Sequence, residues 1–335
     1  MALNSYILLM IKRRLKRLLR NGGKMELLIQ AALLILGFVM LMKGADWFVE
    51  GASSLADKFG IPQLVIGLTI VAMGTSAPEA AVSISAALQQ NAGITIGNVV
   101  GSNIMNILLI LGLTSVIRAI AVQKSTIKNE IPFLIGISFL LPILGLMDGR
   151  VGRIDGVIFW ILFIAYLLYL LRMTKKGQTS QEEMPEVGKM PVWKMIICIV
   201  VGAVLIVWGA DITVDAATII AQIFGMSDRL IGLTIVAFGT SLPELITSVT
   251  AATKGKADIA VGNIVGSNIF NILFVVGTTA LLAPVPFAQN FLVDSLVAAL
   301  AAVLLLLGVI KSRKLTRPAG VIMLVAYAAY FIYLL

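Results

Sequence analysis

The chain has 335 residues, 59% hydrophobic and 13% charged, with a net charge of +9 and a mean hydropathy of +1.01. A water-soluble domain needs more polar surface, and many apolar runs reach the roughly 20 residues that cross a bilayer as a helix, so the composition predicts an all-α polytopic membrane protein. With no His and one Cys, Cys198, the chain lacks the usual zinc and copper ligands and cannot form an intrachain disulfide.

Any cation held inside must then be held by oxygens, which favours Na⁺, Ca²⁺ or Mg²⁺. The positive charge is read as basic cytoplasmic loops rather than a nucleic-acid surface.

Residues 1–25 form a basic N-terminal extension with seven Lys/Arg from Lys12 to Lys24. Their apolar part is too short to span. They suit an interfacial amphipathic helix, or an extension upstream of a true start at Met25. A first span is expected from 26 into the Asp46 region, a second over 62–88 and a third over 94–116. A fourth (131–147) and a fifth (154–171) follow. The polar stretch 173–191, rich in charge with Gly and Pro, reads as a linker. Five more spans are expected over 192–224, 230–253, 259–282, 291–310 and 318–335.

The two halves echo each other. GLTIVAMGTSAPE, Gly67 to Glu79, recurs as GLTIVAFGTSLPE, Gly232 to Glu244. The offset of 165 holds without a gap from Gly44 against Gly209 to Asn106 against Asn271, with about half the positions identical. Two sets of five spans, 26–172 and 192–335, make ten. An odd number per set means the second copy enters from the opposite side, the inverted repeat of secondary transporters.

Loop charge orients the chain. The loops after spans 1, 3, 5, 7 and 9 carry Lys58; Arg118, Lys124, Lys128; Arg172, Lys175, Lys176, Lys189, Lys194; Lys254, Lys256; Lys311, Arg313, Lys314 and Arg317. The other loops carry only Arg150, Arg153 and Arg229. The positive-inside rule places the linker in the cytoplasm and both termini outside. The seven basic residues before Met25 conflict with that, which favours Met25 as the start of the mature chain.

Glu79 and Glu244 carry the chemistry. A carboxylate in mid-membrane costs about 2.5–3.5 kcal/mol and needs a partner, yet no Lys, Arg or His lies near these two in spans 2, 3, 7 or 8. Facing each other, they would take up a proton or a cation between them. Pro78 and Pro243 lack the N–H that would bond the carbonyls of Gly74 and Gly239, leaving backbone oxygens free. Thr75 and Glu79, and likewise Thr240 and Glu244, share a helix face. Hydroxyl, carbonyl and carboxylate together suit a hard cation.

GNVVGSNIMN, from Gly97 to Asn106, recurs as GNIVGSNIFN, from Gly262 to Asn271. Gly97/Gly101 and Gly262/Gly266 allow close backbone approach. Ser102 and Asn106 share a face, as do Ser267 and Asn271. Asp46 with Glu50, and Asp211 with Asp215, read as polar helix ends or vestibule lining.

At these residues the chain resembles the cation/calcium exchanger superfamily, in its prokaryotic sodium/calcium exchanger branch, from Met25 onward. The GTS-x-PE form looks like the sodium-coupled branch; proton/calcium exchangers typically carry a GN-x-x-E variant. The resemblance implies a ten-helix antiporter of the cytoplasmic membrane with ion sites between spans 2, 3, 7 and 8. Glu79 and Glu244 would be ligands shared by Ca²⁺ and Na⁺. Thr75 and Thr240 would add backbone or hydroxyl oxygens, and Ala72 and Ala237 carbonyls. Ser76, Ser241, Ser102 and Ser267 would serve Na⁺, and Asn106 and Asn271 would complete the central layer. Some relatives carry Asp where this chain has Asn271, which removes one charge here. Spans 1 and 6 would be the moving element. No organic cofactor and no obligatory protein partner are implied.

One cluster with two negative charges cannot hold Ca²⁺ and a full set of Na⁺ together, so binding would be competitive and exchange obligatory. The rival readings are a proton-coupled Ca²⁺ antiporter, a channel, and, remotely, an intramembrane aspartyl protease using Asp46 and Asp211.

Overall fold

The computed structural model describes residues 23–88, 94–175, 190–224 and 237–334. Among these, eight helices are long and apolar enough to cross a membrane, or nine if one bent pair counts as a span. They are α1 (Met25–Phe59), the bent pair α2 (Gln63–Thr75) and α3 (Ala77–Leu88), α4 (Thr95–Ile117), α5 (Thr126–Asp148), α6 (Arg153–Thr174) and α7 (Val192–Ile223). The short helices α8 (Ala237–Thr240) and α9 (Leu242–Thr253) precede α10 (Ala257–Leu282), α11 (Phe291–Val309) and α12 (Arg317–Leu334). The expected span 230–253 is described only from Ala237. The basic extension before Gly23 and most of the 173–191 linker lie outside the described residues.

Burial sorts the helices. The most apolar stretch of α10 is 94% buried and that of α4 72%, against 11% for α1 and for α12. The two helices that carry the Gly-Asn-Ser motif are therefore the centre. The outer helices turn Leu28, Ile35, Trp208, Ile322 and Val325 outward, as a lipid-facing surface requires.

α1 is longer than expected. It runs as one helix past Asp46 to Phe59, with Glu26 in its first turn and Lys58 in its last, both suited to the helix dipole. Gly60, at φ 61°, ends it, and Ile61 N–H donates back to Ala56 O at 2.9 Å, the usual left-handed glycine stop. Asp46 is thus a mid-helix residue, not a helix end. Asp211 is likewise inside α7.

The most extensive helix pairing joins α1 to α7. Glycines make it possible. Gly37, Gly44 and Gly51 on α1, and Gly202 and Gly209 on α7, recur every seven residues. A Cβ on Gly44 would lie 2.9 Å from Gly202 O, and one on Gly209 would lie 2.9 Å from Gly37 O. Only the missing side chains let the backbones come so close.

Two short ribbons tie the halves together. β1 (Ile120–Ala121) pairs antiparallel with β4 (Lys314–Leu315), Ile120 opposite Leu315. β2 (Arg150–Val151) pairs antiparallel with β3 (Val285–Pro286), Val151 opposite Val285. β1 precedes α5 and β2 follows it. α5 has 23 residues, about 34 Å of helix, so the ribbons sit at opposite ends of the molecule.

Candidate ion-binding site

The two GTS-x-PE stretches break their helices in the same way. Ser76 leaves helical geometry at φ −85°, ψ 9°, and Ser241 at φ −94°, ψ 5°. Each is followed within two residues by proline, which fits only the first turn of a new helix. α2 and α3 consequently meet at a 48° bend. The break places Glu79 and Glu244 each in the first turn of a helix, α3 and α9, where the dipole favours negative charge.

Both glutamates are fully buried, and the charge of Glu244 bears on Glu79. Ser76 Oγ donates to Glu244 Oε1 at 2.7 Å, so a residue of the first motif grips the carboxylate of the second. Ser102 and Ser241 are the side chains beside the Glu79 carboxylate; Thr75, Ser76 and Ser267 are those beside Glu244. The first half and the second therefore build one site between them.

The oxygens there are under-used. Glu79 Oε1 and Oε2, Glu244 Oε2, Ser241 Oγ, Asn106 Oδ1 and Asn271 Oδ1 are buried without a hydrogen-bond partner. Buried polar atoms are seldom left so, and a group of acceptors with no donor is what a cation would fill. Among the described residues no three acidic, His or Cys side chains gather. Two carboxylates and a set of neutral oxygens are what this site offers.

The remaining expected residues fall as follows. Ala72 is buried, and its carbonyl accepts from Ser76 N at 3.0 Å and lies 3.4 Å from Ser267 Oγ. Thr75 Oγ1 lies 3.0 Å from Asn263 Oδ1, 3.1 Å from Val71 O and 3.3 Å from Ala72 O. Ser102 is buried beside Glu79. Ala237 and Thr240 bound the one-turn helix α8, and their side chains lie outside the described residues.

Gly262 and Gly266 make the close approach expected of them. A Cβ on Gly262 would meet Gly67 Cα at 3.0 Å, and one on Gly266 would meet Leu68 Cα at 2.8 Å. This brings Ser267 against α2. The partners that the 165-residue offset assigns to Gly97 and Gly101 lie within 225–236, outside the described residues.

Four further asparagines belong to the site, and the sequence reading passed over them. Asn98 Nδ2 donates to Glu79 O at 3.1 Å and Ser83 Oγ at 2.9 Å. Asn263 repeats this 165 residues on, with Glu244 O at 3.4 Å and Ser248 Oγ at 2.9 Å. Each braces the backbone of a glutamate. Asn103 and Asn268 cross between α4 and α10, bonding each other's backbone and the side chains of Asn271 and Asn106. The signal was present: all four recur at the offset, inside otherwise apolar spans.

Asn106 and Asn271 sit at the start of π-helical turns, Met105–Leu111 and Asn271–Val276. The first packs on α9 and the second on α3, the helices of the two glutamates. Such wide turns recur at functional positions in helices.

The family model described as "Sodium/calcium exchanger protein" matches residues 29–172 and 194–335. The chain belongs to the sodium/calcium exchanger family. It is 42% identical over 315 residues to a putative antiporter, CaxA, of Alkalimonas amylolytica, covering 91% of this chain and 98% of that one. It is 32% identical to the sodium/calcium exchanger MaX1 of Methanosarcina acetivorans, covering 90% and 97%. A structure of the sodium-calcium exchanger NCX_Mj, soaked with zero Na⁺ and Ca²⁺, superposes with a TM-score of 0.80 at 34% identity. That match covers 92% of this chain and all of the other. The protein is therefore an integral membrane cation/Ca²⁺ exchanger, a transporter and not an enzyme. The protease reading fails on the same ground; its two aspartates stand in α1 and α7.

Proposed function

We propose that this exchanger moves Na⁺ against Ca²⁺ by alternating access at one shared site. Its ligands are Glu79 and Glu244, with oxygens from Thr75, Thr240, Ala72, Ala237, Ser76, Ser241, Ser102, Ser267, Asn106 and Asn271. The carrying observation is the buried carboxylate pair set among acceptors that lack donors. Ca²⁺ neutralises both charges at once, and Na⁺ ions must take the same oxygens to do so, which makes the two mutually exclusive.

The ribbons support two inverted five-helix repeats, 26–172 and 192–335, joined by the cytoplasmic linker 173–191. β1 and β3 occupy equivalent positions at the 165-residue offset, yet they lie at opposite ends of α5. Equivalent parts of the halves thus face opposite sides. The β1–β4 ribbon and the bond from Arg118 Nη1 to Thr253 O, 2.8 Å, join loops that carry most of the basic residues. That end is cytoplasmic, in the inner membrane, and both termini are outside.

The test is Ca²⁺ uptake into reconstituted vesicles loaded with Na⁺ and diluted into Na⁺-free buffer. Uptake is expected only with internal Na⁺, and not with K⁺ or a pH jump alone. Uptake driven by the pH jump without Na⁺ would replace sodium coupling with proton coupling, since the same carboxylates can carry protons.

At the cytoplasmic end, Lys254 Nζ pairs with Asp46 Oδ1 at 3.0 Å and bonds Asp46 O at 3.1 Å. The pair holds α1 against α9. Both side chains are partly exposed, so it contributes about 0.2–1 kcal/mol. Lys254→Ala is expected to shift the balance of open states by up to about fivefold, read as faster labelling of a cysteine placed in the cytoplasmic vestibule. Unchanged labelling would remove this gate.

A further inference from the structure

Asn103, Asn106, Asn268 and Asn271 form a hydrogen-bonded ring between α4 and α10. A main-chain carbonyl can only accept hydrogen bonds. Asn103 Nδ2 reaches the carbonyl of Asn268 at 3.2 Å, and Asn268 Nδ2 reaches that of Asn103 at 3.0 Å. Both amides therefore have their nitrogens turned to the partner's backbone, with their Oδ1 atoms on the other side.

An amide oxygen held there needs a donor. Asn271 Nδ2 supplies one to Asn103 Oδ1 at 3.1 Å, and Asn106 Nδ2 supplies one to Asn268 Oδ1 at 2.9 Å. Turning either outer amide by half a turn would set two carbonyl-type oxygens against each other. The outer amides are thus locked nitrogen-inward to the ring. Their own Oδ1 atoms are left free, and both are buried without a partner.

We propose that Asn103 and Asn268 are positioning residues that make Asn271 and Asn106 present oxygen, not nitrogen, to the transported cation. The inference rests on Asn106 and Asn271 being ligands, as argued above. An Asn has one attracting end and one repelling end for a cation; without the ring, nothing in its chemistry selects the right one. The assignment crosses between halves: Asn103 orients Asn271, and Asn268 orients Asn106.

The test compares Asn103→Leu in three backgrounds, using the full-length protein in vesicles and the Ca²⁺ concentration dependence of Na⁺-driven uptake. Alone, Asn103→Leu is expected to raise the KM for Ca²⁺ about tenfold, with a smaller fall in maximal rate. In an Asn271→Asp background the same change should shift KM by less than about threefold, because a carboxylate has no wrong end. In an Asn106→Asp background the full tenfold should persist, because Asn103 does not orient Asn106.

Equal shifts in all three backgrounds would overturn the proposal and leave Asn103 a packing residue. Should Asn103→Leu fail to fold, Asn103→Thr retains an oxygen in a smaller volume. It should give a smaller shift with the same dependence on background, and equal shifts there would also overturn the idea. An Asn271→Leu variant with unchanged KM would show a different failure: Asn271 would be no ligand, and the inference would fall with that assignment rather than with the ring.

Discussion

Na⁺-driven Ca²⁺ uptake is expected to fall at least about a hundredfold in Glu79→Gln and again in Glu244→Gln, each tested alone. The substitution keeps shape and removes one charge. Two unit charges about 4 Å apart at an effective dielectric of about 20 interact by about 4 kcal/mol, and a divalent ion feels more. Relaxation of the site returns part of that. About 3 kcal/mol, or roughly a hundredfold, is a conservative remainder.

Loss of fold would not mimic the result, because a neutral side chain at this depth is easier to insert than a carboxylate. The control is a wild-type elution profile for each variant. Should either variant keep more than half the wild-type rate, the shared-carboxylate site is wrong. The expectation is symmetric even though the hydrogen bonding is not. Ser76 holds one oxygen of Glu244, while both Glu79 oxygens are free.

Gly202→Leu is expected to cost about 3 kcal/mol or more of stability and to lower the melting temperature by several degrees. A Cβ at this position would lie 2.7 Å from Phe48 N and 2.8 Å from Gly44 O. These are backbone atoms of a helix and cannot step aside as a side-chain tip can. Overpacking in a well-filled interface typically costs about 1–3 kcal/mol, and here the whole α1–α7 seam must open to admit a branched side chain. Val200→Leu, on the outward face of the same helix, should melt like the wild type. Thermal unfolding in detergent reads both. A Gly202→Leu protein that melts within a degree of wild type would show that the seam is not held by close backbone contact.

Much of the candidate site could be read in the sequence because its motifs are written twice. A glutamate in an apolar span is conspicuous, and the same glutamate 165 residues later, with the same Thr, Ser and Pro, leaves little freedom of interpretation. The pairing of Ser76 with Glu244 was not legible, because it crosses from one copy to the other and no linear pattern encodes a crossing. Asn98, Asn263, Asn103 and Asn268 were overlooked for a related reason. They act on backbone or on one another, and residue type alone does not tell a ligand from its brace.

Asp46 misled the reading of α1. A charge inside an apolar run looks like the edge of the membrane, but α1, at 35 residues, is about 52 Å long and can carry polar residues beyond the hydrocarbon. Lys254 gives Asp46 a partner that no local pattern announces. The π-helical turns leave no mark in composition.

The interfaces that build this molecule run between its halves. The glycine seam joins α1 to α7, each ribbon has one strand from either side of the linker, and the asparagine ring is half from α4 and half from α10. During synthesis the first half enters the bilayer before its complement exists. Glu79 must then wait in lipid without Ser241, and Gly37, Gly44 and Gly51 without their matching helix. A waiting carboxylate at that depth costs about 2.5–3.5 kcal/mol until the second half covers it. The chain is in this respect two nascent subunits on one ribosome, and the order of their insertion is part of how the site is made.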